Sequence, residues 1–139
     1  MKIAYETTAI ATGGRDGRAA TSDGSFEVRL ATPKELGGSG EGNNPEQLFA
    51  SGYAACFLGA MRFVSTRQGL PKVPVDASVT ATVGIGPRDD EGFGLRVSLV
   101  VSVPGLNRDG AEALVAAADR ICPYSHATRG NIEVSLEVS

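Results

Sequence analysis

The 139-residue chain has only two cysteines and one histidine. With the two cysteines sixty-six positions apart, His126 offers at most a contrived three-ligand set with them, so a structural zinc site is not expected. There is no CxxC pair, which excludes a local dithiol motif. No stretch approaches eighteen consecutive apolar residues, and the opening MKIAYETTAIATGG alternates polar and apolar residues instead of presenting the apolar segment of a signal peptide. A cytoplasmic location without stable membrane insertion is therefore expected. Thirteen basic against sixteen acidic residues leave a net charge of −3, with no basic stripe, so nucleic acid is not an expected partner. GGRDG lacks the lysine and hydroxyl of a phosphate loop, and GIGPRDDEGFG lacks the ordered dinucleotide fingerprint, so these glycines read as turn formers. No internal repeat divides the chain, and residues 1–139 are expected to form one domain.

What is present is an alternation of strand and helix signals. KIAYETTAIAT reads as a strand ending in the glycine-rich turn that carries Arg15, and SFEVRLA, residues 25–31, reads as a second. TPKELGGSGEGNN reads as a mobile connection. Asn44, Pro45 and Glu46 then announce a helix start: a capping amide, a first-turn proline and a first-turn carboxylate. Along that helix Phe49, Tyr53, Cys56, Ala60 and Phe63 share a broad face, extended by Leu48, Phe57, Met61 and Val64, which marks it as central. DASVTATVGIG and GFGLRVSLVVSV form a hairpin, Asn107 caps a helix over 108–121, and Pro123 stops it beside Cys122. NIEVSLEV alternates as a half-buried antiparallel strand. This order favours an α+β fold over a doubly wound sheet.

Cys56 lies in the apolar run GYAACFLGAMRFV and Cys122 in DRICPYSHATRGN, sixty-six positions later. Spacing alone leaves three readings open: two packed thiols, a disulfide, or a nucleophile with a resolving partner. Peroxide chemistry needs a thiolate to attack one peroxide oxygen and a second thiol to condense with the resulting sulfenic acid. A guanidinium would favour the thiolate, and a carboxylate would orient the guanidinium; Arg15 and Glu46 are the candidates. Ten residues of continuous helix separate Glu46 from Cys56 by about 15 Å, so either the helix breaks or Glu46 reaches the thiol from a second copy, the expected case. Phe49, Tyr53, Phe57, Met61 and Phe63 suit a core, and a subset of them can line a pocket for an alkyl or lipid-like hydroperoxide. Asp89, Asp90, Glu91, Asp119 and Arg120 read as solvated charge.

The blocks AIATGGRDGRAATSDG, NNPEQLFASGYAACFLGAM, GFGLRVSL and ICPYSHATRGNIEVSLEV together resemble the organic hydroperoxide resistance proteins of the OsmC/Ohr family, over nearly the whole chain. The resemblance implies an intertwined homodimer with central helices wrapped by antiparallel β-sheets and active sites at the subunit boundary. It makes Cys56 the peroxidatic nucleophile, Cys122 the resolving cysteine, Arg15 the activating arginine and Glu46 its partner. Arg18 takes a supporting role in the same turn, and Tyr124 one at the edge of the thiol site. The implied activity is reduction of organic or lipid hydroperoxides to alcohols, with no bound haem, flavin, metal or nicotinamide. Electrons are expected from an external dithiol, dihydrolipoamide or a lipoylated protein. Two other readings are a broader OsmC-type peroxidase and a non-enzymatic hydrophobic-ligand-binding or redox-sensing dimer.

Overall fold

The computed structural model describes residues 1–67 and 69–139 and has an α+β architecture. It divides into two compact units, Met1–Leu48 and Phe49–Ser139.

The first unit is a three-stranded antiparallel sheet, β1 (Ala9–Thr12), β2 (Arg18–Thr21) and β3 (Glu27–Arg29), in that order. A single 3-10 turn, Gly14–Asp16, joins β1 to β2 and carries Arg15. The turn is possible because Gly13 and Gly14 adopt φ of 74° and 59°. Gly17 closes it tightly: a Cβ there would sit 1.8 Å from the Thr12 carbonyl oxygen. Strand β2 falls outside the sequence expectation, which assigned no element between the GGRDG turn and residue 25; RAAT has little strand propensity, and its pairing with β1 and β3 supplies the order. The expected mobile connection is fastened along its length. Ala31 N–H donates to Asn43 O, Asn43 N–H to Arg29 O and Gly40 N–H to Thr32 O, with a 3-10 turn at Lys34–Leu36 between.

Helix α1 (Pro45–Arg67) is continuous. Asn44 and Gln47 form a reciprocal cap: Gln47 N–H donates to Asn44 Oδ1 at 2.9 Å, and Asn44 N–H to Gln47 Oε1 at 3.0 Å. By length and composition the helix could cross a bilayer. Tyr53, Phe57, Ala60, Met61 and Val64 are instead the buried stripe around which the second unit is packed. Phe63 departs from the expected apolar face: it is half exposed, with the Arg67 guanidinium 4.4 Å from its ring centroid.

In the second unit β4 (Ser78–Pro87) and β5 (Phe93–Ser102) form the expected hairpin, followed by α2 (Arg108–Ile121), α3 (Pro123–Thr128) and β6 (Glu133–Val138). Strand β6 pairs with β5 in parallel, correcting the antiparallel expectation. Two helices intervene between these strands, and a helical crossover returns the chain in the same direction as it left. The second sheet is thus mixed, with β5 central and its Val97, Leu99 and Val101 buried in the same core as Leu114, Ala118 and Cys122.

Candidate active site

Arg15 and Glu46 come together in the first unit. Arg15 Nη1 donates to Glu46 Oε2 at 2.9 Å and Nη2 to Oε1 at 2.6 Å, a fork-to-fork contact that fixes the plane of the guanidinium. The turn that carries the arginine is pinned at the next residue: Asp16 accepts the N–H and the hydroxyl of Thr32, each at 2.9 Å. Arg15 holds the Glu46 carboxyl below the usual range, burial opposes this in part, and the backbone N–H at the helix start adds to it. Arg18 makes a separate bidentate pair with Glu27 across β2 and β3, where both side chains are exposed.

Cys56 and Cys122 come together in the second unit. The Sγ atoms lie 3.7 Å apart, unlinked. Cys56 is half-buried on α1 and Cys122 fully buried. Cys122 caps both α2 and α3. Its extended ψ of 120° is what a residue before proline prefers, and Pro123 occupies the first position of α3, where no N–H is missed. Burial pushes the Cys56 thiol up, the backbone N–H of Tyr124 pulls it back, and the neighbouring Cys122 sulfur raises it further. Taken with its immediate surroundings in this unit, Cys56 is a reluctant thiolate.

Phe49, Tyr53 and Tyr124 form a cluster of three rings, with centroids 5.7 to 6.0 Å apart. Gly52 makes room for it, since a Cβ there would lie 3.0 Å from the Tyr124 hydroxyl. Phe49 and Tyr124 also line an apolar groove of about 330 Å³ with Leu95, Ala127 and Ile132. Of the other pocket candidates, Tyr53, Phe57 and Met61 are fully buried core residues. Among the described residues no cluster of three histidine, cysteine or carboxylate side chains could hold a metal.

Two features went unread in the sequence. One is the N–H of Tyr124, which a proline directly after a cysteine announces only once α3 is known to exist. The other is a buried set of hydroxyls: Tyr53 Oη lies 3.0 Å from Ser125 Oγ and 3.2 Å from Thr128 Oγ1. The i, i+3 spacing of Ser125 and Thr128 was the available signal. Asp119, expected to be free in solvent, pairs with Arg129 at 2.7 Å.

A family model described as OsmC-like protein matches residues 38–137. The organic hydroperoxide resistance protein of Xanthomonas axonopodis pv. citri is 50% identical over 139 residues, covering 99% of this chain and 96% of its own. The crystal structure of an organic hydroperoxide resistance protein from Legionella pneumophila superimposes with a TM-score of 0.93 at 49% identity, covering 99% of both chains. One from Vibrio cholerae, described with captopril bound in one of its active sites, gives a TM-score of 0.93 at 47% identity over 99% of this chain and 94% of that one. With the sulfur pair, the arginine–carboxylate pair and the fold all in place, the chain belongs to the OsmC/Ohr family, among its organic hydroperoxide resistance proteins.

Proposed function

We propose that the protein reduces organic hydroperoxides to alcohols through a thiol–disulfide cycle on Cys56 and Cys122. The observation that carries this reading is the 3.7 Å approach of two unlinked sulfurs, one half-buried and one fully buried. The Cys56 thiolate attacks the outer oxygen of ROOH, the O–O bond breaks, and the alkoxide leaves with a proton as ROH. Cys56 sulfenic acid remains. Cys122 then attacks the Cys56 sulfur, and water departs as the disulfide forms. An external dithiol, dihydrolipoamide or a lipoylated protein, exchanges with that disulfide, restoring both thiols and leaving as its own cyclic disulfide. No bound cofactor takes part. Captopril, the ligand of the Vibrio cholerae relative, is itself a thiol, which fits a site open to thiol-bearing molecules.

The raised pKa of Cys56 calls for a cation, and Arg15 is held in a fixed plane by Glu46. Helix α1 is unbroken, so ten residues carry Glu46 about 15 Å along the axis from Cys56 of the same chain. The pair that activates a given Cys56 is accordingly assigned to the partner copy of a homodimer. Exposed Ile3, Tyr5, Ile10 and Phe26 in the first unit supply apolar surface for such a copy to cover. The apolar groove beside Tyr124 favours an alkyl or lipid hydroperoxide over hydrogen peroxide, which brings no apolar area to bury.

Steady-state turnover of tert-butyl hydroperoxide, a fatty-acid hydroperoxide and hydrogen peroxide with dihydrolipoamide tests this. Strong preference for the organic substrates, lost in Cys56→Ser, is expected. Equal turnover of all three, or none, would overturn the assignment. Mixing Glu46→Ala with Cys56→Ser subunits should restore part of the activity, and no restoration would remove the shared site.

A further inference from the structure

Two side-chain pairs tie α1 to the segment that begins at Cys122. The first is Cys56 with Cys122. The second, one helical turn away on each side, is Tyr53 with Ser125. Residues three apart on a helix share a face, so the hydroxyl pair stands as a parallel rung beside the sulfur pair. Thr128 completes the rung: its hydroxyl lies 3.2 Å from Tyr53 Oη and donates to the Ser125 carbonyl at 3.2 Å. All three are shut away from water, with Tyr53 at 0%, Ser125 at 2% and Thr128 at 5% exposure. A phenylalanine would fill the same core volume as Tyr53. The hydroxyl is therefore present for what it holds.

We infer that Tyr53, Ser125 and Thr128 act as positioning residues that set the gap across which Cys122 resolves Cys56 sulfenic acid. The inference rests on the thiol–disulfide reading above. A disulfide is about 2.05 Å long, so from 3.7 Å the sulfurs must close by about 1.7 Å. Cys122 is buried at the joint between α2 and α3, so its sulfur moves little without its backbone. Helix α3 has six residues, too few to hold itself in water, and its place depends on tertiary contacts. The rung is a directional contact of that kind, and it is anchored to the same helix that carries Cys56. In the resolving step a Cys122 sulfur lone pair forms the S–S bond, the Cys56 S–O bond breaks, and the hydroxide leaves as water with the proton of Cys122. Delay in that step leaves the sulfenic acid open to a second hydroperoxide, which oxidises it to sulfinic acid and is itself reduced to alcohol.

The test separates the two steps by rapid mixing with tert-butyl hydroperoxide, at a pH where the first no longer rises with pH. Sulfenic acid is read by dimedone trapping, disulfide by loss of free thiol, and sulfinic acid by mass spectrometry. Tyr53→Phe and Ser125→Ala should slow disulfide formation about tenfold, the scale of one buried hydrogen bond, leave sulfenic acid formation unchanged and raise the sulfinic yield. Ser125→Thr, which keeps the hydroxyl, should restore resolution. Unchanged resolution in the two deletion variants, or both steps slowed together, would overturn the inference; if Tyr53→Phe does not fold, Ser125→Ala decides. Failure of the unaltered protein to form either sulfenic acid or disulfide would instead remove the thiol cycle on which the inference stands.

Discussion

Arg15 and Glu46 meet in a unit whose strand β1 is exposed at every residue, on a turn shaped by glycines and pinned by Asp16. Cys56 and Cys122 meet in a unit built around a large apolar core, one of them without any exposed surface. The two pairs solve opposite problems. Charged partners near water keep their charges cheaply and need geometry, which the bidentate contact supplies. The two sulfurs are positioned by packing, and the same burial raises the pKa of the Cys56 thiol. The first pair is thus held by directed charge and the second by packing.

The largest test of that contrast is Arg15→Ala. Without the guanidinium, peroxide reduction at pH 7 should fall about a hundredfold, the usual scale for a lost electrostatic group at a reacting centre. The sign follows from Cys56. Its pKa already lies above the ordinary value of 9.0, and each further unit upward removes about tenfold of thiolate at pH 7. The loss should shrink as pH rises toward that range; a deficit constant with pH would mean that Arg15 positions and does not activate.

Next comes stability. Phe57→Ala, at a fully buried ring, should cost about 3–5 kcal/mol in urea unfolding. Gly17→Ala, which forces a Cβ onto the Thr12 carbonyl, should cost about 1–3 kcal/mol and disturb the Arg15 turn. A larger loss for Gly17→Ala than for Phe57→Ala would break the picture of a packed unit beside a locally fastened one. Smaller again, Asn44→Ala removes the cap next to Glu46 and should cost about 1 kcal/mol, measured in the same way.

The smallest effects lie at the extremes of pH, and they differ in sign between the units. Glu46 is depressed by Arg15, and Asp23 is lowered to about 2 by Thr21 and Ser25. Their stabilising contributions are fully present above the ordinary carboxylate values of 4.5 and 3.8 and are lost as pH falls through the depressed ones. Cys56 acts in the other direction. A raised thiol leaves stability intact below 9.0 and lowers it as pH climbs beyond, because only the unfolded chain ionises freely there. Asp23→Asn should flatten the acid limb of a stability–pH curve and Cys56→Ser the alkaline limb. If either variant flattened the opposite limb, the assignment of the limbs to the two units would fail.

Several elements were legible in the residues because their causes are local. Asn44, Pro45 and Glu46 start α1, Asn107 caps α2 through the Gly110 N–H, and Pro123 ends α2 beside Cys122. The hairpin of β4 and β5 showed in its alternation. Strand β2 did not, because RAAT becomes a strand only between two others. Nor did the direction of β6, since alternation records which face is buried and carries no information about the direction of the neighbour. Phe63 was misjudged because a helix apolar nearly all round does not reveal from its own pattern which side meets the core.

From its own order of residues, then, the chain determined the α+β class, the caps, the glycine turn under Arg15 and the family resemblance, all of which follow from short-range stereochemistry or from matching blocks. Only the tertiary structure decided that two sulfurs sixty-six residues apart lie within 3.7 Å, that Arg15 chelates Glu46, and that Tyr53 reaches Ser125 and Thr128. The physical reason is that a distance between side chains remote in sequence is set by how whole faces pack. That information is spread over every residue in the core and is carried by no single one of them.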